Sequence, residues 1–177
     1  QQRRRPRREW TLPLRGMFAV QQMLVTKGDE LLIRSETYVD AHDWQTYDPH
    51  RDANRMFPTA LDGTSPADFS DVEAVREFAR SKDGTKIPIT IIRKRGARQD
   101  GKAPLILGGY GGYGISQKPR FDFTRRVWLD QGGVYAYANI RGGAEYGEDW
   151  HKQGNLTKKQ NVFDDFVACA EYLIRSN

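Results

Sequence analysis

The sequence of 177 residues contains a single cysteine, Cys169, so an internal disulfide framework is excluded. Long hydrophobic runs are missing as well. The longest, Ile87 to Ile92 and Val134 to Ile140, fall far short of the ~20 apolar residues that span a bilayer, and no membrane association is expected. There is no charged-then-apolar leader, and the first residue is Gln, so a targeting signal on a longer parent would be invisible. The compartment stays open, with a cytoplasmic one favoured. No serine stands in a G-x-S-x-G elbow; the nearest approach, Gly114-Ile115-Ser116-Gln117-Lys118, lacks the second glycine. His and Cys are too few and too scattered to form a metal constellation around Asp164 and Asp165, so no metal is expected.

A net charge of +5 is present, and Arg3, Arg4, Arg5, Arg7 and Arg8 supply five positive charges in the first eight residues, leaving the rest near neutrality. Such an arm could bind phosphates by releasing counterions. It lacks an aromatic platform or recognition helix, so it reads as a solvated end and no nucleic-acid partner is expected. Cys169 lies in an apolar, helix-like stretch and reads as a buried structural thiol.

From Glu9 to Asp48 the pattern is that of a β-meander: Trp10 to Leu14, Gln22 to Thr26, Leu31 to Val39 and Trp44 to Tyr47, punctuated by turn signals at Arg15-Gly16 and Lys27-Gly28-Asp29. The polar stretch Asp48 to Asp71 reads as a boundary between two units, residues 1–70 and 71–177. In the second unit, Val72 to Arg80 and Lys86 to Lys94 flank Asp83-Gly84 and predict a hairpin, with both turn residues at positive φ. Pro104 to Leu107 and Val134 to Ile140 read as strands, Phe121 to Gln131 as a helix. Phe163, Phe166, Val167, Ala170, Leu173 and Ile174, three and four apart, predict an amphipathic helix over Lys159 to Arg175. Strand, helix, strand, helix is the rhythm of an α/β sheet.

The segment Gly109-Tyr110-Gly111-Gly112-Tyr113-Gly114 formally matches the dinucleotide pattern G-x-G-x-x-G. That motif runs directly into a helix, whereas Ile115 to Arg120 with Pro119 follows here, and Asp122 is too near to serve as the ribose acid. A loop that uses glycine only for turning leaves the two tyrosines unexplained. Glycines admit a ligand to the backbone while tyrosines add an apolar wall and a hydroxyl. The segment is the candidate site.

Four blocks, LGGYGGYGIS (Leu107 to Ser116), ANIRGGAEYG (Ala138 to Gly147), WHK (Trp150 to Lys152) and KQNVFDDF (Lys159 to Phe166), occur in the order found in prolyl oligopeptidases. Ser81 to Pro88 is similar to that family's opening hydrolase hairpin, and Leu31 to Pro49 resembles the last strands of its β-propeller. The resemblance implies a partial α/β-hydrolase domain, a hairpin plus a βαβα start, preceded by the end of a propeller. It also implies a serine peptidase that cleaves short proline-containing peptides after proline without a cofactor. Tyr110 aligns with the oxyanion donor and Tyr113 with the aromatic wall of the proline pocket, where many relatives have Phe; Gly108 replaces a frequent tyrosine.

The triad Ser, Asp and His of the family would lie beyond Asn177, so the chain alone is expected to lack peptidase activity. A non-catalytic binding protein built on the same half-domain remains the alternative. His42 and His50 read as surface or loop residues and His151 as loop structure. Arg141, Glu145 and Tyr146 could touch substrate or brace the active-site loops, with an ion pair within their loop the favoured reading, and Asp164 and Asp165 are expected to complement the dipole of the last helix.

Overall fold

The computed structural model describes residues 9, 11–13, 16–41, 43–61, 64–98 and 100–176. The arginine-rich arm, Trp10, Leu14 and His42 lie outside them. The described residues form two compact units, one running to residue 65 with 119–121 added, the other comprising 66–118 and 122–176.

In the first unit β1 (Ala19–Val25), β2 (Leu31–Glu36), β3 (Asp43–Tyr47) and β4 (Phe57–Pro58) form an antiparallel sheet in chain order. Ile33 and Tyr47 are buried, whereas the outer strand leaves Met23, Leu24 and Val25 exposed. The stretch read as a polar boundary contains β4 and a one-turn helix, α1 (Pro49–Asp52). Asp48 caps that turn, its carboxylate accepting from the His50 N–H at 2.8 Å and the Arg51 N–H at 3.3 Å, and Pro49 sits where a missing N–H costs nothing. The exposed His50 pairs with Asp29 at 2.8 Å, as a surface role requires.

In the second unit β5 (Val72–Arg80) and β6 (Lys86–Lys94) pair in register from Val72↔Lys94 to Arg80↔Lys86. Only Gly84 of the turn takes a left-handed φ, 88°. Asp83 instead accepts the Thr85 N–H, so the loop is longer than a two-residue turn and needs one left-handed residue. Next, β7 (Leu105–Gly109) and β8 (Val134–Ala138) complete a sheet ordered β5-β6-β8-β7, with β8 antiparallel to β6 and parallel to β7. Residues 87–92 are buried without a break, the signature of a strand covered on both faces.

The helix expected over Phe121 to Gln131 is confined to α2 (Arg125–Asp130), because the Asp122 carboxylate holds the Thr124 N–H and hydroxyl at 2.9 and 2.6 Å in a turn. A short helix, α3 (Glu148–Lys152), precedes a 3₁₀ turn at Leu156–Lys158 and the long α4 (Gln160–Ser176).

The buried face of α4 differs from the expected one. It carries Val162, Asp165, Ala168, Cys169 and Leu173, while Phe163, Val167 and Ile174 are exposed. Apolar periodicity alone could not identify that face, since Asp165 occupies it to meet an arginine described below. Cys169 is fully buried and its thiol is pushed up to about 12 by desolvation, so it is inert, as read from the sequence. It belongs to the core between sheet and helix with Ile87, Ile89, Ile91, Ala136, Ala138, Ile140, Val162 and Leu173.

Candidate active site

The glycine-tyrosine segment leaves β7 at its carboxyl end, the side where open α/β sheets place ligands. Tyr110 is 47% exposed and Tyr113 is 88% exposed. Tyr113 also holds a left-handed backbone, φ 52°, which a bulky non-glycine residue adopts only at a cost. Strain of that kind at an exposed aromatic is what ligand-facing loops store.

The loop is pinned from below. Gly111 is buried with φ 59°, and a Cβ there would lie 2.5 Å from Val162 and 2.7 Å from Ile140, so no side chain fits. Its carbonyl accepts from the Lys159 ammonium at 2.7 Å. The Ile115 N–H closes a turn on the Gly112 carbonyl at 3.0 Å, and the Gly114 N–H donates to the Gly142 carbonyl at 3.0 Å. That Gly142 carbonyl also accepts from Nδ1 of His151 at 2.8 Å, which fixes the tautomer and leaves Nε2 to accept from Asn155 at 3.3 Å. His151, expected in a loop, lies in α3 and serves a structural role by holding the Gly142 carbonyl.

Gly142 is the second position where a side chain is impossible: φ is 90° and a Cβ would stand 2.5 Å from the Gly111 carbonyl oxygen. The two glycine segments, after β7 and after β8, therefore approach backbone to backbone. Their far ends are tied by Glu145, whose Oε1 accepts from the Gln117 N–H at 3.0 Å and the Asn139 amide at 3.2 Å. The Asn139 amide also donates to the Gln117 carbonyl at 3.0 Å.

The expected pairing of Arg141 with Glu145 is not found. Arg141 is almost wholly buried and directs its guanidinium to Asp165, at 2.6 and 2.9 Å, and to Asp83, at 2.5 Å. The Arg141 N–H also donates to Asp165 at 3.0 Å, and the Ser81 hydroxyl donates to it at 2.6 Å. Asp165 therefore serves as the centre of a buried network rather than as a helix-dipole charge, because only such dense bonding makes a buried carboxylate tolerable. The same bonds hold the Arg141 guanidinium charged, and the Arg141 guanidinium depresses the Asp83 carboxyl to about 2. Through this network the β5–β6 turn, the end of β8 and α4 are locked under the loop that carries the tyrosines.

The structure thus brings Tyr110 and Tyr113 onto one loop, gives Asp165 a different role from the one read in the sequence, and adds Lys159, Ser81 and Asp83, to which the sequence reading gave no part in the site. Lys159 and Asp165 lie in one of the quoted blocks, KQNVFDDF, but nothing in spacing told what they would touch. Among the described residues no group of three His, Cys, Asp or Glu side chains could hold a metal ion.

Residues 119–177 match the prolyl oligopeptidase family, peptidase S9. The chain is 52% identical over 96 residues to a prolyl endopeptidase of Elizabethkingia miricola, covering 54% of the chain and 14% of that protein. It is 47% identical over 119 residues to prolyl oligopeptidase A of Galerina marginata, covering 67% and 16%. A solved prolyl endopeptidase structure superposes with a TM-score of 0.83 at 35% identity over 92% of this chain and 24% of that one. Prolyl oligopeptidase B of Galerina marginata, bound to a 35mer hydrolysis and macrocyclization substrate, gives 0.76 at 34% over 85% and 21%. The chain thus spans about a seventh of the length of these curated relatives. The antiparallel sheet and the mixed sheet with its helices are the end of a propeller and a partial α/β-hydrolase domain. Sequence blocks, sheet order and superposition agree, and the chain belongs to the prolyl oligopeptidase family.

Proposed function

We propose that this chain supplies the oxyanion side and one subsite wall of a serine peptidase that cleaves short peptides after proline through an acyl-enzyme. Residues 1–70 are the end of a propeller with its linker, and residues 71–177 are the first part of the catalytic domain. The observation that carries the reading is the loop itself: an exposed Tyr110 and a backbone-strained, exposed Tyr113 on a glycine segment clamped from beneath.

Attack of a serine hydroxyl on the peptide carbonyl forms a C–O bond and moves the carbonyl pair onto oxygen. The Tyr110 hydroxyl donates to that oxygen, where charge develops only as the bond forms, so the interaction favours the transition state over the ground state. Expulsion of the amine then leaves the acyl-enzyme, which water hydrolyses. Tyr113 supplies an apolar face for the proline ring. The serine, aspartate and histidine come from outside these residues, and the 177-residue chain alone is inactive.

In the natural protein that carries this chain, Tyr110→Phe lowers kcat on a proline-containing peptide by ~10²–10³, the cost of one oxyanion donor, while KM changes little. An unchanged kcat would remove Tyr110 from the chemistry. An active-site serine phosphonate should leave the isolated chain unlabelled; stoichiometric labelling would overturn its inactivity. A protein that binds proline-containing peptides tightly yet never cleaves them would instead be the non-catalytic binding module.

A further inference from the structure

We infer that Lys159 is a positioning residue and that the group it positions is the Gly112 N–H, a backbone donor beside Tyr110 that faces substrate. This deepens the reading of the loop given above and rests on it.

The Gly111 carbonyl points inward. It takes the Lys159 ammonium at 2.7 Å, and the same oxygen lies 2.5 Å from where a Gly142 Cβ would be. Among the described residues no peptide bond is cis, and in a planar trans peptide the carbonyl and the following N–H point in opposite directions. The Gly112 N–H is therefore turned away from Lys159 and the core. No acceptor among the described residues takes it. A Cβ on Gly112 would meet Cε1 and Cζ of Tyr110 at 3.6 and 3.8 Å, which places this residue against the hydroxyl end of the ring. An N–H donor and a phenol donor thus stand together on one short loop.

Two physical effects assign the lysine its role. A Gly-Gly peptide has little steric barrier to flipping, because neither residue has a Cβ to restrict φ and ψ. A flipped peptide would present a carbonyl, with its partial negative charge, where a donor is required. The ammonium blocks that flip by holding the carbonyl inward. It also polarises the peptide, since a charged donor on the oxygen strengthens the N–H of the same amide as a donor. Val162 and Ile140 leave Gly111 no other way to pack, so the clamp acts on a segment already seated on the core.

The test compares Lys159→Met, Lys159→Arg and Tyr110→Phe in the natural protein. Turnover of a proline-containing peptide is measured together with inhibition by a peptide aldehyde, whose hemiacetal oxygen imitates the developing oxyanion. Lys159→Met should lower kcat ~10–100-fold, a fraction of the full donor loss because the N–H remains but is no longer aimed. It should weaken the aldehyde by a similar factor and leave KM within about threefold, with Lys159→Arg restoring most of the loss. A Lys159→Met enzyme with unchanged kcat beside a Tyr110→Phe enzyme that has lost ~10² would overturn the inference and leave the loop reading standing. Unchanged kcat in Tyr110→Phe would remove the reading and the inference with it. Independently of activity and of how the variant folds, amide exchange in the unmodified protein should find the Gly112 N–H unprotected. Strong protection there would mean an inward N–H and would overturn the assignment.

Discussion

The two sheets of this chain are built on opposite principles. In the antiparallel sheet every pairing joins neighbours in sequence, and its outer strand β1 leaves most of its residues in solvent. In the mixed sheet the order β5-β6-β8-β7 brings together strands separated by loops and helices, and β6 is buried on both faces. The first is held mainly by local register and one buried face. The second depends on ties between residues far apart in sequence: Ser81 and Asp165 are 84 residues apart, Arg141 and Asp83 are 58 apart. A loop that must present donors at fixed positions belongs on the second kind of scaffold, where its support is over-determined.

Cutting the ties through Asp165 tests that contrast most severely. Asp165→Ala leaves the buried Arg141 guanidinium and Ser81 hydroxyl without their shared acceptor. An expected loss of about 3–5 kcal/mol follows from leaving the buried guanidinium with only the half-exposed Asp83 as its counter-charge. It should be read by denaturant unfolding, and a loss below ~1 kcal/mol would mean that the network is dispensable. The antiparallel sheet should respond to burial alone. Ile33→Ala, at a fully buried position of β2, should cost about 2–4 kcal/mol by cavity formation, whereas Val25→Ala, 72% exposed on β1, should stay within about 0.5 kcal/mol. Comparable losses at the two positions would show that β1 is covered in solution.

What was legible in the sequence divides along the same line. The β5–β6 hairpin matched its expected limits residue for residue, because strand-like apolar runs broken by a glycine turn signal act locally. The glycine-tyrosine loop was recognisable for a similar reason: its chemistry is written in consecutive residues. The helix α3 and the turn α1, five and four residues long, are too short to display a period. The face of α4 was misread because Phe163, Val167 and Ile174 outvote Asp165 in any apolar count, and only the arginine 24 residues away explains why a carboxylate is buried. Lys159 escaped for the same cause. A carbonyl 48 residues distant leaves no trace in spacing, so the groups that aim the loop were harder to read than the groups it aims.

A smaller effect than those of the buried positions is expected at the rim of the network, where Asp83 is 46% exposed yet bonded to Arg141. Its carboxyl is held at about 2 in the folded chain, first by the Arg141 hydrogen bond, against ~3.9 when unfolded. A depressed folded value means that the unfolded state binds the proton first as pH falls. The contribution is therefore complete above pH ~4 and is lost as pH falls toward 2. With half of the side chain in water, it should amount to about 1 kcal/mol or less. Melting curves of the parent and of Asp83→Asn should converge as pH drops from 5 to 2.5, the parent being the more stable at the upper end. Parallel curves across that interval would show that Arg141 draws nothing from the rim, and that Asp165 alone anchors the lock between hairpin and helix.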